Sequence, residues 1–295
     1  MTIGQVFHLT PLMGDLAAAT ARFEQLFAPH IWYRGFEGRI NNRSAALMAI
    51  SDFVIEPMQP HPPSDGRPAT SHHRFVDRFG DAIHSLAVYC DDLDAIRSGL
   101  EAMDVRVTDG GMPTTVFTHP KDFPGLIEFY NPGLAEGREL NPRQHDGWSS
   151  AYWREVHPLG IEHASHVTLA VHDHVAAAGA YVKAFGVELL PDQPGRAESS
   201  SSSFVTFGPD TMVELAQPGN PESGIARHLE RIGQTWWGMT FKVRSLDDVA
   251  AFLDMEHIGA PYRVDGTMLR IAPEWMFGGE YSFTDQSLDG DPRSS

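Results

Sequence analysis

Four residues of the chain have the types and the settings to do chemistry together: His8, Glu56, His84 and Glu128. Each stands in an apolar run, His8 in "QVFHLTPL", Glu56 in "FVIEPMQP", His84 in "DAIHSLAVYC" and Glu128 in "GLIEFYNPG". A carboxylate buried in such a run costs roughly several kcal/mol, the desolvation of an ion, unless something pairs with it. Two imidazoles and two carboxylates make a mixed nitrogen and oxygen donor set suited to a divalent first-row metal. One cation shared by both glutamates would compensate their charge. The expected cofactor is therefore a single divalent ion (Ni, Co, Zn, Mn or Fe) held by His8, Glu56, His84 and Glu128.

The elements that must position these residues repeat along the chain. Glu56, Glu128 and Glu214 are each followed at one fixed offset by Gln or Asn and then Pro: Gln59 and Pro60, Asn131 and Pro132, Gln217 and Pro218. Upstream of each lies an alternating β-branched or aromatic run with a histidine, namely His8, His84 and His166, and then a helical pattern such as "DLAAATARFEQLF". His8 to Glu56 spans 48 positions, His84 to Glu128 44, and His166 to Glu214 48; His8 to His166 and Glu56 to Glu214 are both 158. A fourth copy, "WGMTFKVRSLDDVAAFLDM", aligns without a gap on "HSLAVYCDDLDAI" and places Trp237 where His84 stands; its last strand, "GGEYSFTDQ", places Ser282 at the position of Glu128. The chain thus reads as four strand-helix-strands units in two pairs.

Residues 1–135 form the expected metal-binding domain, 136–160 a Gly-, Pro- and charge-rich linker, and 161–295 a second domain. Trp148 and Trp153 imply that the linker packs on a domain surface. The run "ESSSSSF" at 198–204 reads as a flexible hairpin tip. With 295 residues and 42% hydrophobic content, two domains with their own cores are within reach. The single cysteine, Cys90, cannot form an intramolecular disulfide and suits a reducing compartment. No leader-like run and no apolar stretch of about 20 residues is seen, so a cytoplasmic protein is expected. A net charge of -17 disfavours nucleic acid and anionic membrane surfaces as partners. A small-molecule substrate is expected instead, with a homodimer left open.

These units, the terminal "IEFYNP" and "VELAQP" strands and the first-strand histidines resemble the vicinal oxygen chelate superfamily, which includes glyoxalase I, methylmalonyl-CoA epimerase and extradiol dioxygenases. The resemblance covers nearly the whole chain. It implies an α+β fold of tandem vicinal oxygen chelate domains, four βαβββ units forming two open barrel-like sheets. It implies His8, Glu56, His84 and Glu128 as ligands in the glyoxalase I pattern, or His8, His84 and Glu128 in the dioxygenase pattern. "THPKDFPGLIEF" lacks the tyrosine and Asp-Pro that common extradiol enzymes place ahead of the ligand glutamate. The leading expectation is a lyase or isomerase in which Glu56 or Glu128 moves a proton and a metal-bound enediolate is stabilised. A ring-cleaving Fe(II) dioxygenase and a metal-free binding protein are the alternatives. The second half, keeping His166 and Glu214 but carrying Trp237 and Ser282, is expected to be a degenerate copy.

Around the centre, Tyr130 shares a strand face with Glu128 and is a candidate for contact with substrate. Arg34, Arg39 and Arg43 in "WYRGFEGRINNR" are candidate carboxylate or phosphate binders, set against an exposed strand face. His119 is a candidate in the loop before Glu128, with Lys121, His72 and His73 weaker ones; solvated loop residues are the blander reading of these four.

Overall fold

The computed structural model describes residues 3–38, 42–64, 67–110, 112–134, 141–144, 147–193 and 200–294. Alternating β-branched and aromatic runs become strands and the Ala- and Leu-rich runs become helices. In the first half the order is β1 (Val6–Leu12), α1 (Leu16–Phe27), β2 (His30–Gly38), β3 (Arg43–Ile50), β4 (Phe53–Ile55), β5 (Met58–Pro60), α2 (Ser71–Phe79), β6 (Ala82–Tyr89), α3 (Leu93–Glu101), β7 (Val107–Thr108), β8 (Thr115–Thr118) and β9 (Ile127–Tyr130). These strands form one nine-stranded sheet in the order β2-β3-β4-β1-β6-β9-β8-β7, with β5 against β1 and β3.

The second half runs β10 (Ile161–Ala170), α4 (His174–Phe185), β11 (Ser200–Phe207), β12 (Thr211–Pro218), α5 (Gly224–Arg231), β13 (Trp236–Val243), α6 (Leu246–Leu253), β14 (Tyr262–Asp265), β15 (Met268–Ile271) and β16 (Glu280–Thr284). Its sheet has seven strands, ordered β11-β12-β10-β13-β16-β15-β14. In each sheet the first strands of the two units lie side by side at the centre (β1 with β6, β10 with β13), as the repeat requires, and are flanked by strands from the ends of those units (β4 and β9, β12 and β16). The helix of each unit begins at the same place, where Asp15, Asp92, Asp173 and Ser245 accept backbone N–H bonds from the first turn. Such a cap is worth about 1 kcal/mol.

Two expectations need correction. Among the described residues the third unit has two strands after its helix, with an isolated bridge between Leu189 and Val205 in place of the third; Pro191, two residues on, has no N–H with which to extend that bridge. The serine run is no hairpin tip: Ser200–Phe207 is strand β11, paired along its length with β12. Residues 198 and 199 lie outside the described residues.

The halves share one core. Phe23 and Phe27 of α1 pack on Phe241, Tyr281 and Phe283 of the second sheet, while Tyr181 and Phe185 of α4 pack on Phe123 and Phe129 of the first. Each sheet is thus covered by the other half's helix. Gly125 has φ +81°, and a Cβ there would stand 3.1 Å from Leu169 and 3.3 Å from Trp236, so glycine lets the approach to β9 press on the second half. In the joining segment, Trp153 donates its indole N–H to the Phe27 carbonyl at 2.8 Å and its ring lies 5.7 Å from that of Trp148. Among the described residues no helix is long and apolar enough to cross a membrane.

Arg143, from the same segment, is a buried clamp. Its guanidinium donates to the carbonyls of Val6 and Asp52 and pairs with Asp210 at 3.3 Å. Arg143→Ala would strand these acceptors between the halves. The expected cost is about 2–4 kcal/mol, read as a lowered denaturation midpoint with an unchanged slope.

Candidate active site

Register brings the predicted donors onto one face of the first sheet. His8 pairs with Ala87 across β1 and β6, and Ala87 pairs with Glu128 across β6 and β9. Paired residues point to the same face, so His8 and Glu128 flank a side chain no larger than a methyl. Glu56, between β4 and β5, hydrogen-bonds its N–H to the Leu9 carbonyl at 2.8 Å, which lays its side chain beside His8. His84 reaches this face through a bulge: Thr10 pairs with Ser85 and Pro11 with Ile83, leaving His84 as the extra residue.

Within this face, His8 Nε2 lies 3.1 Å from Glu56 Oε2, and its Nδ1 is 2.9 Å from Thr10 Oγ1. Thr10 therefore leaves Nε2 turned toward the carboxylate. His84 sits further along, its ring 5.3 Å from His72 and 4.9 Å from Phe75 of α2. His8 and Glu56 are fully buried, whereas His84 and Glu128 are half-buried.

The electrostatics show what the face lacks. Burial pushes Glu128 up to about 8, the neighbouring Glu56 charge adds to the rise, and Arg43 opposes it. Burial pushes Glu56 up to about 7, again against Arg43. Burial lowers His8 to about 3, helped by Arg43, and lowers His84 to about 4. Both imidazoles are thus neutral near pH 7, with lone pairs available, while two carboxylates share the field of one guanidinium. Arg43 Nη1 stands 3.7 Å from Glu56 Oε1.

This donor chemistry fits a divalent cation: neutral imidazole nitrogens and carboxylate oxygens on one buried face that is short of positive charge. The expected closed coordination sphere is not assembled. Among the described residues no three His, Cys, Asp or Glu side chains stand close enough to share a metal ion. His8 and Glu56 are in contact, Glu128 lies two strands from His8, across β6, and His84 leans toward α2.

The other predicted residues divide. Tyr130 lies on the Glu128 face, its ring 5.6 Å from Phe7 and 6.0 Å from Tyr89, in an aromatic cluster that borders His8. Arg34 is exposed and bonds Glu24 on α1, because its position on β2 faces away from the donors. His119 is turned outward, 3.3 Å from Arg106 and 3.9 Å from Asp122. Arg39 lies outside the described residues. His73 caps α2, its Nδ1 accepting from the Thr70 N–H at 2.9 Å. Two neighbours gain weight over their sequence reading: Arg43, which alternation puts on the face of Ala45, and His72, which α2 brings to His84.

The second half has the same frame with different contents. The bulge that carries His84 recurs at Trp237, skipped between the pairs Thr168–Gly238 and Leu169–Trp236, and Ser282 pairs with Thr240 as Glu128 pairs with Ala87. His166 Nε2 is 3.5 Å from Glu214, which also accepts hydrogen bonds from Thr168 at 2.7 Å and Ser202 at 2.8 Å. Burial opposes the Glu214 charge, yet His166, Arg270 and Thr168 hold its pKa down at about 2. Burial works against Arg270 too, but Glu280, Glu214 and Asp265 raise its pKa. The carboxylates of this half are compensated from within.

Comparison with known proteins follows the same division. Residues 163–260 match the model of the Glyoxalase/Bleomycin resistance protein/Dioxygenase superfamily. No curated protein matches the sequence. Among solved structures, a triple mutant of 4-hydroxymandelate synthase from Streptomyces coelicolor is similar over 98% of this chain and 94% of its own, with a TM-score of 0.64 and 14% identity. A fusion of a xylose isomerase-like TIM barrel with 4-hydroxyphenylpyruvate dioxygenase is similar over 99% of this chain, with a TM-score of 0.55 and 14% identity; the match spans 50% of that longer protein. Methylmalonyl-CoA epimerase from Mycobacterium tuberculosis is 25% identical over 43% of this chain and 86% of its own, with a TM-score of 0.36. Residues 163–260 carry that family's sequence pattern, the first half repeats the central strand order of the second and its bulge at His84, and the chain as a whole shares the fold of the two-domain structures it resembles.

Proposed function

We propose that the first half is the active centre of a divalent-metal-dependent lyase or isomerase that moves a proton on a small oxygenated substrate. The carrying observation is the arrangement of the donors: His8 touches Glu56 and Glu128 stands on the same face across Ala87, two neutral imidazoles and two carboxylates whose charge burial disfavours and a cation would compensate, leaving either carboxylate able to serve as a base. His8, Glu56, His84 and Glu128 are the residues that would hold the ion. When bound, a divalent cation supplies Lewis acidity toward a substrate oxygen and stabilises the charge left by proton loss.

The side chains supply the rest. Thr10 orients the His8 ring, and Glu56 is poised against it. Glu128, half-buried and thus the carboxylate that faces the open side, is the better placed to take a proton from substrate carbon. Tyr130, on the same face, is positioned to donate a hydrogen bond to a substrate oxygen. Phe75 and His72 of α2 cover the His84 end and limit entry of water.

A second reading is a dioxygenase of the kind named among the structural neighbours, using His8, His84 and Glu128. It leaves Glu56 without a role, although Glu56 is the residue in direct contact with His8. Elemental analysis of the natively purified chain tests both. About one equivalent of nickel, cobalt, zinc or manganese supports proton transfer; iron together with oxygen uptake on catechols or 2-oxo acids supports the dioxygenase. A metal-free protein that gains no metal on dialysis refutes both and leaves a binding protein.

A further inference from the structure

A cavity of about 1100 Å³ opens over the second half, away from the four donors, and the reaction proposed above makes no use of it. Ligand cavities run to roughly 300–1,000 Å³, so this one has room for a small organic molecule. Its floor is aromatic and polar. Trp237, the residue that replaces His84, is buried there, and the His228 ring meets it edge-on at 5.1 Å. Arg270 is spent on its surroundings: it pairs with Glu280, donates to Asp265 at 3.0 Å, and reaches the Met268 sulfur at 3.1 Å, while Arg263 takes the other Glu280 oxygen at 3.1 Å. The floor therefore offers a ligand no net charge.

His228 is the unsatisfied group. It is 2% exposed, and neither ring nitrogen has a hydrogen-bond partner among the described residues. The Thr235 backbone is near enough to act on the ring's proton affinity but is not in hydrogen-bonding geometry. A buried imidazole left this way costs about 1–3 kcal/mol, which a ligand offering a donor and an acceptor would recover.

Unpaired charge of both signs sits at the rim. Arg227 and Arg231, one turn apart on α5, donate to the backbone carbonyls of Glu222 and Phe79. Glu222 precedes the helix, and Glu274 approaches from the segment after β15. Among the described residues, none of these four has an opposite charge within ion-pair distance, though all line one cavity. A purely anionic ligand meets two glutamates and a chain of net charge -17; a purely cationic one meets two arginines. A molecule carrying both charges satisfies both.

We propose that this cavity binds a zwitterionic ligand of the short-peptide class, with its carboxylate at Arg227 and Arg231, its ammonium at Glu222 and Glu274, and its uncharged middle, whose peptide N–H and C=O supply a donor and an acceptor, against Trp237 and His228. The test is calorimetric titration of the full chain with glycyl-L-phenylalanine, N-acetylglycyl-L-phenylalanine and glycyl-L-phenylalaninamide. Glycyl-L-phenylalanine is expected to bind at millimolar or lower concentration, and each derivative, lacking one charge, on the order of tenfold more weakly, the loss of one ion pair. Arg227→Glu, on the exposed rim, and Trp237→Leu, in the floor, should each weaken binding of glycyl-L-phenylalanine to a similar extent while leaving the metal content of the first half unchanged. Absence of binding, equal binding of the three compounds, or binding that survives Arg227→Glu in the folded protein would each overturn the proposal. Should Trp237→Leu fail to fold, the rim variant and the derivative series still decide it.

Discussion

A Glu128→Gln chain is expected to fold as the parent does and to lose proton-transfer turnover by about 10²–10⁴-fold, the usual worth of a positioned general base. The fold should survive because glutamine keeps the shape and removes a charge that burial and Glu56 already disfavour. It cannot accept a proton from carbon. Glu56→Gln tests the other carboxylate, and the two variants differ in kind: Glu56 touches His8 and faces Arg43, so its loss should first lower metal content, whereas loss of Glu128 should lower turnover more than metal content. Measured side by side, metal stoichiometry and substrate proton exchange in deuterated water separate these roles. Undiminished exchange in both variants would remove Glu56 and Glu128 from the chemistry.

How much of this could be read from the sequence depends on which contacts were local. The gapless alignment that put Trp237 over His84 is realised as the same bulge in the same strand, because duplication copied strand lengths and helix caps together. The face of each donor was harder to read, since bulges at Phe7 and His84 reset the alternation that assigns faces from sequence. Helices α2 and α5 are not part of the repeated unit. They are short and insert between units, although the Thr70 and Ser223 caps and the glycines at 80 and 233 mark their ends. Without α2, His72 reads as a solvated loop residue, and nothing in the sequence ranks Arg34, Arg39 and Arg43. Only the pairing of β3 with β5, which sets Arg43 opposite Pro60 and beside Glu56, decides between Arg43 and Arg34. The serine run read as a flexible tip because composition carries no information about a partner strand: Ser202 and Ser203 bond Glu214 and His174 across long sequence separations.

The second large effect concerns pH and stability, and its sign follows from the raised carboxylates. Unfolded, Glu56 and Glu128 ionise near 4.5; folded, they hold their protons to about 7 and about 8. Between those values the native state binds more protons than the unfolded state, so their contribution to stability is fullest below pH 4.5 and is lost as pH rises through 7 to 8. The buried histidines act in the opposite sense at lower pH: His8 and His84 are depressed to about 3 and about 4, so stability rises with pH up to 6.5 on their account. Comparing the metal-stripped parent with the Glu56→Gln, Glu128→Gln double variant cancels the histidines and every other shared group. The parent should lose stability relative to the variant, on the order of several kcal/mol, between about pH 5 and about pH 8. Saturating metal should reverse the trend in the parent alone, because carboxylates must give up their protons to bind it. Parallel denaturation curves for parent and double variant across this range would show that the two glutamates are not buried as a coupled, charge-starved pair, and with that the physical reason for a cation at this face would be gone.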